Sequence, residues 1–480
     1  MNTKQLVTLL TGLLTLILTA HAGAEGEPLH YGGCWLKEAD GRYFNPKGFV
    51  VVMEDNAGDF EYSAEDYRRM VRYGANTQVI RISIGPLAAH ASEAARARYL
   101  ERVDHRVRLA KAAGIRTLFK MTVYGLRRFG GKWESIYRAD GENRRHLFAA
   151  WGIIWRKYAG EPSVVGFDLL NEPFREHGTS PVRTYDDVVQ NSLIPLYSAL
   201  IKDMAAICPD KWAIYQPLLV DIEDRKNHPL PCLPIAVPRV HDRMIFAPHG
   251  YFETAAQHQS AVQRHQEEVK SSGAALMMGE WGRQTYDVND TDLTAQLNYT
   301  KLYAEIARIF DAAGMGLIKP WFTGTRVTLT LSKGKPLTWS VFSDATPTGS
   351  AERKYIMDVI ARPFPLCVGG ATVQSYGYEI TSRIFTLTIT RSEPSRGRSE
   401  IYVPEDRHYP DGFSVLYNGD VALARDRSQP SGLRVLRAPA SFDPGRFRYD
   451  AERQRLLVNG WSPGEGQQVL RILPGIQSQK

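Results

Sequence analysis

Between Gly48 and Ile360 short apolar runs alternate with longer stretches of helical period, and the alternation repeats eight times. Phe49 to Met53 reads as the first strand, and Ser63, with Asp66 three residues on, opens a helix over 64–73 that Gly74 ends. Val79 to Ile84 is the second strand. The helix after it, about 92–113, sets Leu100, Val103, Val107 and Ala110 on one face before Gly114 stops it. Further strands are predicted at Thr117–Val123, Val164–Glu172, Trp212–Leu219, Met244–Ala247, Ala275–Gly279 and Gly316–Phe322. Helices are predicted at Arg144–Tyr158, Val188–Ile207, Ala255–Lys270 and Leu293–Ala313, and Arg353–Ile360 closes the set. After the fifth strand a loop rich in proline and charge, Asp221 to Asp242, replaces most of a helix.

Right-handed crossovers leave few ways to arrange eight such units other than an α/β fold of (β/α)₈ TIM-barrel type. Beyond Arg362-Pro363-Phe364-Pro365 the period changes from helix to strand: Phe385, Leu387 and Ile389 alternate with Thr386, Thr388 and Thr390. Short strands follow at Ile401–Val403, Phe413–Tyr417 (before an Asn418-Gly419 turn), Leu433–Leu436, Phe447–Tyr449, Leu456–Val458 and Val469–Leu473. The prediction is a small C-terminal antiparallel β-sandwich, with the barrel over 23–364 and the sandwich over 365–480. The link is short and proline-rich, without a Gly/Ser run, so the two parts are expected to dock rigidly.

Residues 1–22 stand apart. Lys4 precedes an apolar run from Leu6 to Leu18 that is too short for a membrane span, and Ala20-His21-Ala22 has the small-x-small form of a cleavage site. A cleaved signal peptide, and a secreted or periplasmic protein, is expected. Export permits disulfides. Cys208 and Cys232 flank one strand and are the first candidates for a bridge, Cys34 with Cys367 the second, and free buried thiols are the open alternative. A hydrophobic content of 43% is that of an ordinary globular chain. The net charge of +7 is spread out with no basic block among aromatics, which speaks against nucleic acid.

Chemistry concentrates at the predicted strand ends. Phe167-Asp168-Leu169-Leu170-Asn171-Glu172-Pro173 is a buried strand broken by an amide, an acid and a proline, and Gly279-Glu280-Trp281-Gly282 breaks a second strand with one acid between glycines. Carboxyl ends of strands are where such enzymes place their reacting groups. Two carboxylates facing one cleft are what cleavage of a glycosidic bond requires. Arg81, His249, Tyr251 and Trp321 fall at other strand ends. His228, His241 and Asp224 share a loop, but their spacing is not that of a metal site, and neither a metal nor a cofactor is expected.

Taken in order, Arg81, Asn171-Glu172-Pro173, His249-x-Tyr251, Glu280 and Trp321 resemble glycoside hydrolase family 5. Asp168-Leu169-Leu170-Asn171-Glu172-Pro173-Phe174, Ala247-Pro248-His249-x-Tyr251 and Ile401-Tyr402-Val403-Pro404 resemble its endoglycoceramidases and related bacterial glycosylceramidases. The resemblance implies a retaining glycosidase with Glu172 as general acid/base and Glu280 as nucleophile, their carboxyl groups about 5 to 5.5 Å apart. It implies that Asn171 binds a sugar 2-hydroxyl, that Arg81 and Tyr251 hold Glu280 ionised, that His249 lines the same subsite, and that Trp321 stacks on a sugar. Glu172 must then be protonated at working pH, which the charge of Glu280 favours. The chain departs from the pattern in two places: Lys120-Met121-Thr122 stands where those enzymes have Asp-Met-His, and Val50 replaces an asparagine. Trp281, on the opposite face of its strand from Glu280, is expected to pack. The expected partner is a carbohydrate or glycolipid, with transient contact to a lipid surface, and the chain is expected to be a monomer. Two other readings stay open: a β-glucanase or mannanase acting on polysaccharide, and a silent barrel that only binds glycan.

Overall fold

The computed structural model describes residues 35–38, 40–53, 62–123, 134–175, 183–221, 224, 228, 230–283, 292–322, 340–342, 352–391, 397–428, 433–434, 444–461 and 466–476. The predicted signal segment and Cys34 lie outside them.

Eight parallel strands close a barrel: β3 (Lys47–Met53), β4 (Thr77–Ser83), β5 (Arg116–Thr122), β6 (Val164–Asp168), β7 (Trp212–Tyr215), β8 (Met244–Phe246), β10 (Ala275–Met278) and β12 (Gly316–Lys319). β4 is buried at every position, as expected of a strand covered on both faces. The Ser63–Asp66 capping box opens the helix Ala64–Arg72 as read from sequence. No helix is described between β7 and β8. The helix expected to begin at Val188 starts earlier. Thr184 caps it by accepting from the N–H of Asp187, and a π turn at Val189–Leu193 precedes Ile194–Ile207. Pro195 has no N–H and its ring crowds the carbonyl four residues back, and the wide turn takes up that misfit.

The sandwich consists of two six-stranded antiparallel sheets. Phe385, Leu387 and Ile389 point inward along β15 (Ile384–Arg391), as their alternation predicts. One sheet also takes in a hairpin from before the barrel, β1 (Leu36–Lys37) and β2 (Tyr43–Phe44), with Phe44 paired to Cys367 on β13 (Phe364–Val368). Two-residue strands carry no readable period, which is why this pairing was not anticipated.

The barrel and sandwich are tightly joined. Arg407 pairs with Glu352 at 2.8 Å and also with Asp358; Arg72 pairs with Asp406; the Tyr402 hydroxyl donates to the Arg72 carbonyl. The Lys47 ammonium crosses to the Tyr376 hydroxyl. The expected Cys208–Cys232 bridge is not made: Cys208, Cys232 and Cys367 are buried thiols outside any disulfide. The Cys208 thiol faces the Trp155 carbonyl at 3.4 Å while Cys232 faces Arg264, and burial pushes the Cys208 thiol up to about 11 and the Cys367 thiol up to about 12. Among the described residues no helix is long and apolar enough to cross a membrane.

Gly74 is the tightest point of this junction. It has φ +83°, and a Cβ there would lie 2.6 Å from the Tyr402 ring and 2.8 Å from Phe364. Gly74→Ala is expected to cost about 2 kcal/mol or more and to lower the melting temperature by several degrees. An unchanged melt would show that the junction is loose. Deleting residues 366–480, which uncovers this face, is expected to give insoluble protein; a soluble, active barrel would contradict rigid docking.

Candidate active site

The first acid is set by a strand that ends in a strained turn. Beyond β6 the chain stays in the sheet: Leu169 donates to Ile214 and Asn171 to Met121, both at 2.9 Å. Glu172 then turns into the left-handed region with φ 49°, a conformation that costs a non-glycine residue on the order of 1 kcal/mol. Gln216, just beyond β7, holds it there. Its Oε1 accepts from the Glu172 N–H at 2.9 Å, and its Nε2 donates to Asp168 at 2.7 Å.

The second acid stands on a parallel two-stranded extension of the barrel mouth, β9 (His249–Tyr251) with β11 (Glu280–Gly282), in which Glu280 pairs with His249. Gly279 makes the step from β10 to β11 possible, because a Cβ there would sit 2.9 Å from the Ala247 carbonyl oxygen. The carboxylate of Glu280 is held at both oxygens: Oε2 accepts from the Tyr251 hydroxyl at 2.6 Å and Oε1 from the Lys120 ammonium at 2.9 Å. His249 lies between the acids, with Nδ1 2.9 Å from Glu172 Oε1 and 3.7 Å from Glu280 Oε2. Oxygens of Glu172 and Glu280 come within 4.8 Å of each other although 108 positions (280 − 172) separate them in sequence.

Burial pushes the Glu280 carboxyl up, but the positive charge of Lys120, then His249 and the Tyr251 bond, outweigh it and bring it down to about 2. For Glu172 burial again raises and the His249 hydrogen bond opposes, and the net lies below the usual carboxylate range. The charge of Glu280 does push Glu172 up, as expected, but the hydrogen bond to His249 first, and the positive charge of Lys120 with it, outweigh that push together with burial. Asp168, fully enclosed, is raised to about 6 by burial against the pull of Lys120 and His249.

The other sequence-predicted residues gather at the same mouth. Arg81 lies with its guanidinium 4.7 Å over the Trp321 ring, which is 2% exposed, so one face of that ring is already covered. Asn171 and Trp321 each bury a polar atom, Oδ1 and Nε1, that has no partner among the described residues. Trp281 packs on Tyr303 and Phe310, inside the core. Val50 and Thr122 offer the site no polar contact: Val50 is buried in an apolar cluster with Trp321, and Thr122 turns its hydroxyl back to the Ile82 carbonyl at 3.1 Å.

Two residues were given no role by sequence. Gln216 carries no motif. Lys120 was visible only as a departure, although a lysine at an interior strand position was itself a signal for a buried counter-ion. The ligand-type atoms of Glu172, His249 and Glu280 are close enough to surround a cation, but the Lys120 ammonium already supplies positive charge there, so the set reads as a protein acid–base group. His228, His241 and Asp224 are engaged separately, with the Leu230 carbonyl, the Lys211 carbonyl and Arg175.

A closed parallel barrel with two carboxylates at its mouth defines the class, a glycosidase. The chain belongs to glycosyl hydrolase family 5: the cellulase profile of that family matches residues 41–310, and its C-terminal-domain profile matches 362–472. Endo-glycoceramidase II from Rhodococcus sp., solved with a cellobiose-like imidazole, is similar in structure with a TM-score of 0.66 and 18% identity, over 92% of this chain and 100% of that one. An endogalactoceramidase (TM-score 0.56, 15% identity, 92% and 98% covered) and sterylglucosidase 1 from Cryptococcus neoformans (0.63, 11%, 93% and 97%) share the fold. No curated protein sequence matches the chain.

Tyr251→Phe deletes one of the groups that favour ionised Glu280, so the pKa of that acid rises from about 2. Hydrolysis of an aryl β-glycoside should fall by about ten- to a hundredfold with the melt unchanged. A fall confined to stability would assign Tyr251 to packing alone.

Proposed function

We propose that the chain hydrolyses a β-glycosidic bond with retention, Glu280 attacking the anomeric carbon and Glu172 protonating the departing oxygen, and that the aglycone is a lipid of the glycosylceramide type. What carries the reading is the pair itself. Carboxylate oxygens within 4.8 Å favour the close pair of a retaining enzyme, in which one acid attacks directly, over the wider pair of an inverting one. Tyr251 and Lys120 keep Glu280 ionised and fixed, as a nucleophile needs. Asn171 and Trp321, with their unpartnered polar atoms, would meet the sugar beside it.

The lipid half rests on separate support. Structures of endo-glycoceramidase II with this fold hold a lactosyl-enzyme intermediate and a ganglioside GM3 complex. The helix Leu293–Ala312 begins at the barrel mouth, following β11, and its first turns expose Leu293 and Leu297 at 73% and 62%. Two large apolar side chains one turn apart suit contact with a lipid surface. Export after removal of residues 1–22 would bring the enzyme to such a surface. The cellulase profile favours polysaccharide as the competing substrate, so the test must carry both.

Glu280→Gln should abolish hydrolysis. Glu172→Ala should retain far more activity on dinitrophenyl glycosides, whose leaving group needs little protonation, than on natural substrates; equal losses on both would overturn the acid/base assignment. On a panel of glucosylceramide, lactosylceramide, a ganglioside, cello-oligosaccharides and manno-oligosaccharides, turnover is expected on the lipids. Activity on cello-oligosaccharides with none on any glycosylceramide would refute the lipid and leave the glutamates in place. The double variant Leu293→Ser/Leu297→Ser should lose activity on glycosylceramide in vesicles and keep it on a soluble aryl glycoside.

A further inference from the structure

Lys120 is placed by the barrel, not by any feature of its neighbours in sequence. It is register-paired with Arg81 on β4 and with Asp168 on β6, so three charged side chains stand in one row on the inner wall just beneath the two glutamates. Its side chain is 1% exposed, and its ammonium lies 2.9 Å from Glu280 Oε1, 3.1 Å from His249 Nε2 and 3.9 Å from Asp168 Oδ2. An ammonium has three donors and no acceptor, so the His249 nitrogen it faces must present a lone pair. The ring proton then resides on Nδ1, which faces Glu172 Oε1 and donates to it. One cation therefore sets the state of both acids: it binds the first directly and reaches the second through the imidazole.

We propose that Lys120 is a positioning residue that cancels the charge of Glu280 and locks His249 as an Nδ1–H donor to Glu172, and so confines glycoside hydrolysis to acid pH. The inference rests on the roles proposed above for Glu280 and Glu172. Where two acids share a cleft, ionisation of the first normally raises the second, which is what keeps a general acid protonated near neutrality. Here that repulsion is offset within the same cluster. A protonated Glu172 donating to His249 would need the lone pair on Nδ1 and a proton on Nε2, pointing at the ammonium, and two donors cannot share that contact. The Nδ1–H must therefore be accepted by Glu172 in either state, and because that bond is stronger to the carboxylate than to the acid, the acid form is disfavoured and must be supplied by protonation from solvent.

The sign follows from the groups that face Lys120: Glu280 from β11, Asp168 from β6, His249 from β9 and Arg81 from β4, with Glu172 and Tyr251 one contact further out. Ionisation of Glu280 defines the acid limb of kcat/KM, and loss of the proton from Glu172 the alkaline limb. The cation lowers Glu280 directly and Glu172 through the imidazole. Removing it raises both, so the whole bell moves toward neutral pH.

The experiment is the pH dependence of kcat/KM on an aryl β-glycoside for the wild-type chain, Lys120→Met and Lys120→Arg. For the wild type an optimum below about pH 5 is expected, with activity falling as neutrality is approached. Lys120→Met, close in length and uncharged, should move both limbs up by about 1 to 2 pH units, and Lys120→Arg should restore the wild-type position. A wild type that holds its full kcat/KM to pH 7 overturns the proposal without any variant, which covers the case in which Lys120→Met fails to fold. A folded Lys120→Met with unmoved limbs also overturns it. Wild-type glycosidase activity that survives Glu280→Gln would instead strike at the underlying assignment, so the two failures are distinguishable.

Discussion

The site depends on keeping Glu280 ionised in a place with little water. A carboxylate at a buried strand end is costly unless it is paired and fully hydrogen-bonded, because neither solvent nor bulk counter-ions reach it. The chain meets this with Lys120 on one oxygen and Tyr251 on the other. The lysine is as buried as the acid and so incurs the same desolvation cost; it is stable only because Glu280, His249 and Asp168 surround it. The partners are mutually required, and the removal of either leaves an unpaired charge in the interior.

That arrangement demands stiffness from the scaffold. The five groups come from four strands, β5, β6, β9 and β11, and contacts of about 3 to 4 Å between them hold only if those strand ends are fixed to within a fraction of an ångström. Gln216 ties the strained Glu172 to Asp168, and the step at Gly279 lifts Glu280 onto the extension beside His249. The sandwich braces the opposite end, with Lys47, at the foot of β3, reaching into it and the hairpin before β3 pairing with its sheet. Strain at the mouth is thus carried by a base that is well packed.

The geometry also bears on the sugar. With Val50 apolar and Thr122 bonded to a backbone carbonyl, the walls next to Glu280 on β3 and β5 offer no side-chain donors at these positions. On the function proposed above, sugar recognition would fall to Asn171, to Trp321 and to the rim. The row Arg81, Lys120 and Asp168 then serves the protein's own electrostatics more than the ligand, and Arg81 is partly committed to the Trp321 ring.

Much of this protein was legible in its residues taken in order. The eight barrel strands and the helices that follow all but the fifth, the change of period after Pro365, the capping box at Ser63 and the positions of Glu172 and Glu280 at strand ends all follow from local rules, since periodicity, caps and breaks act within one element. What crosses from element to element was not legible. The thiols of Cys208 and Cys232 point to separate partners, the hairpin at 36–44 belongs to a sheet built from residues more than three hundred positions later, and Pro195 is absorbed by a π turn. Above all, Lys120 stood out only as a departure from the family pattern until barrel closure set it against Glu280, 160 residues away. Pattern determines which face of a strand is buried; only closure of the barrel determines which charge a buried side chain meets there, because that depends on the register of strands the local sequence does not encode.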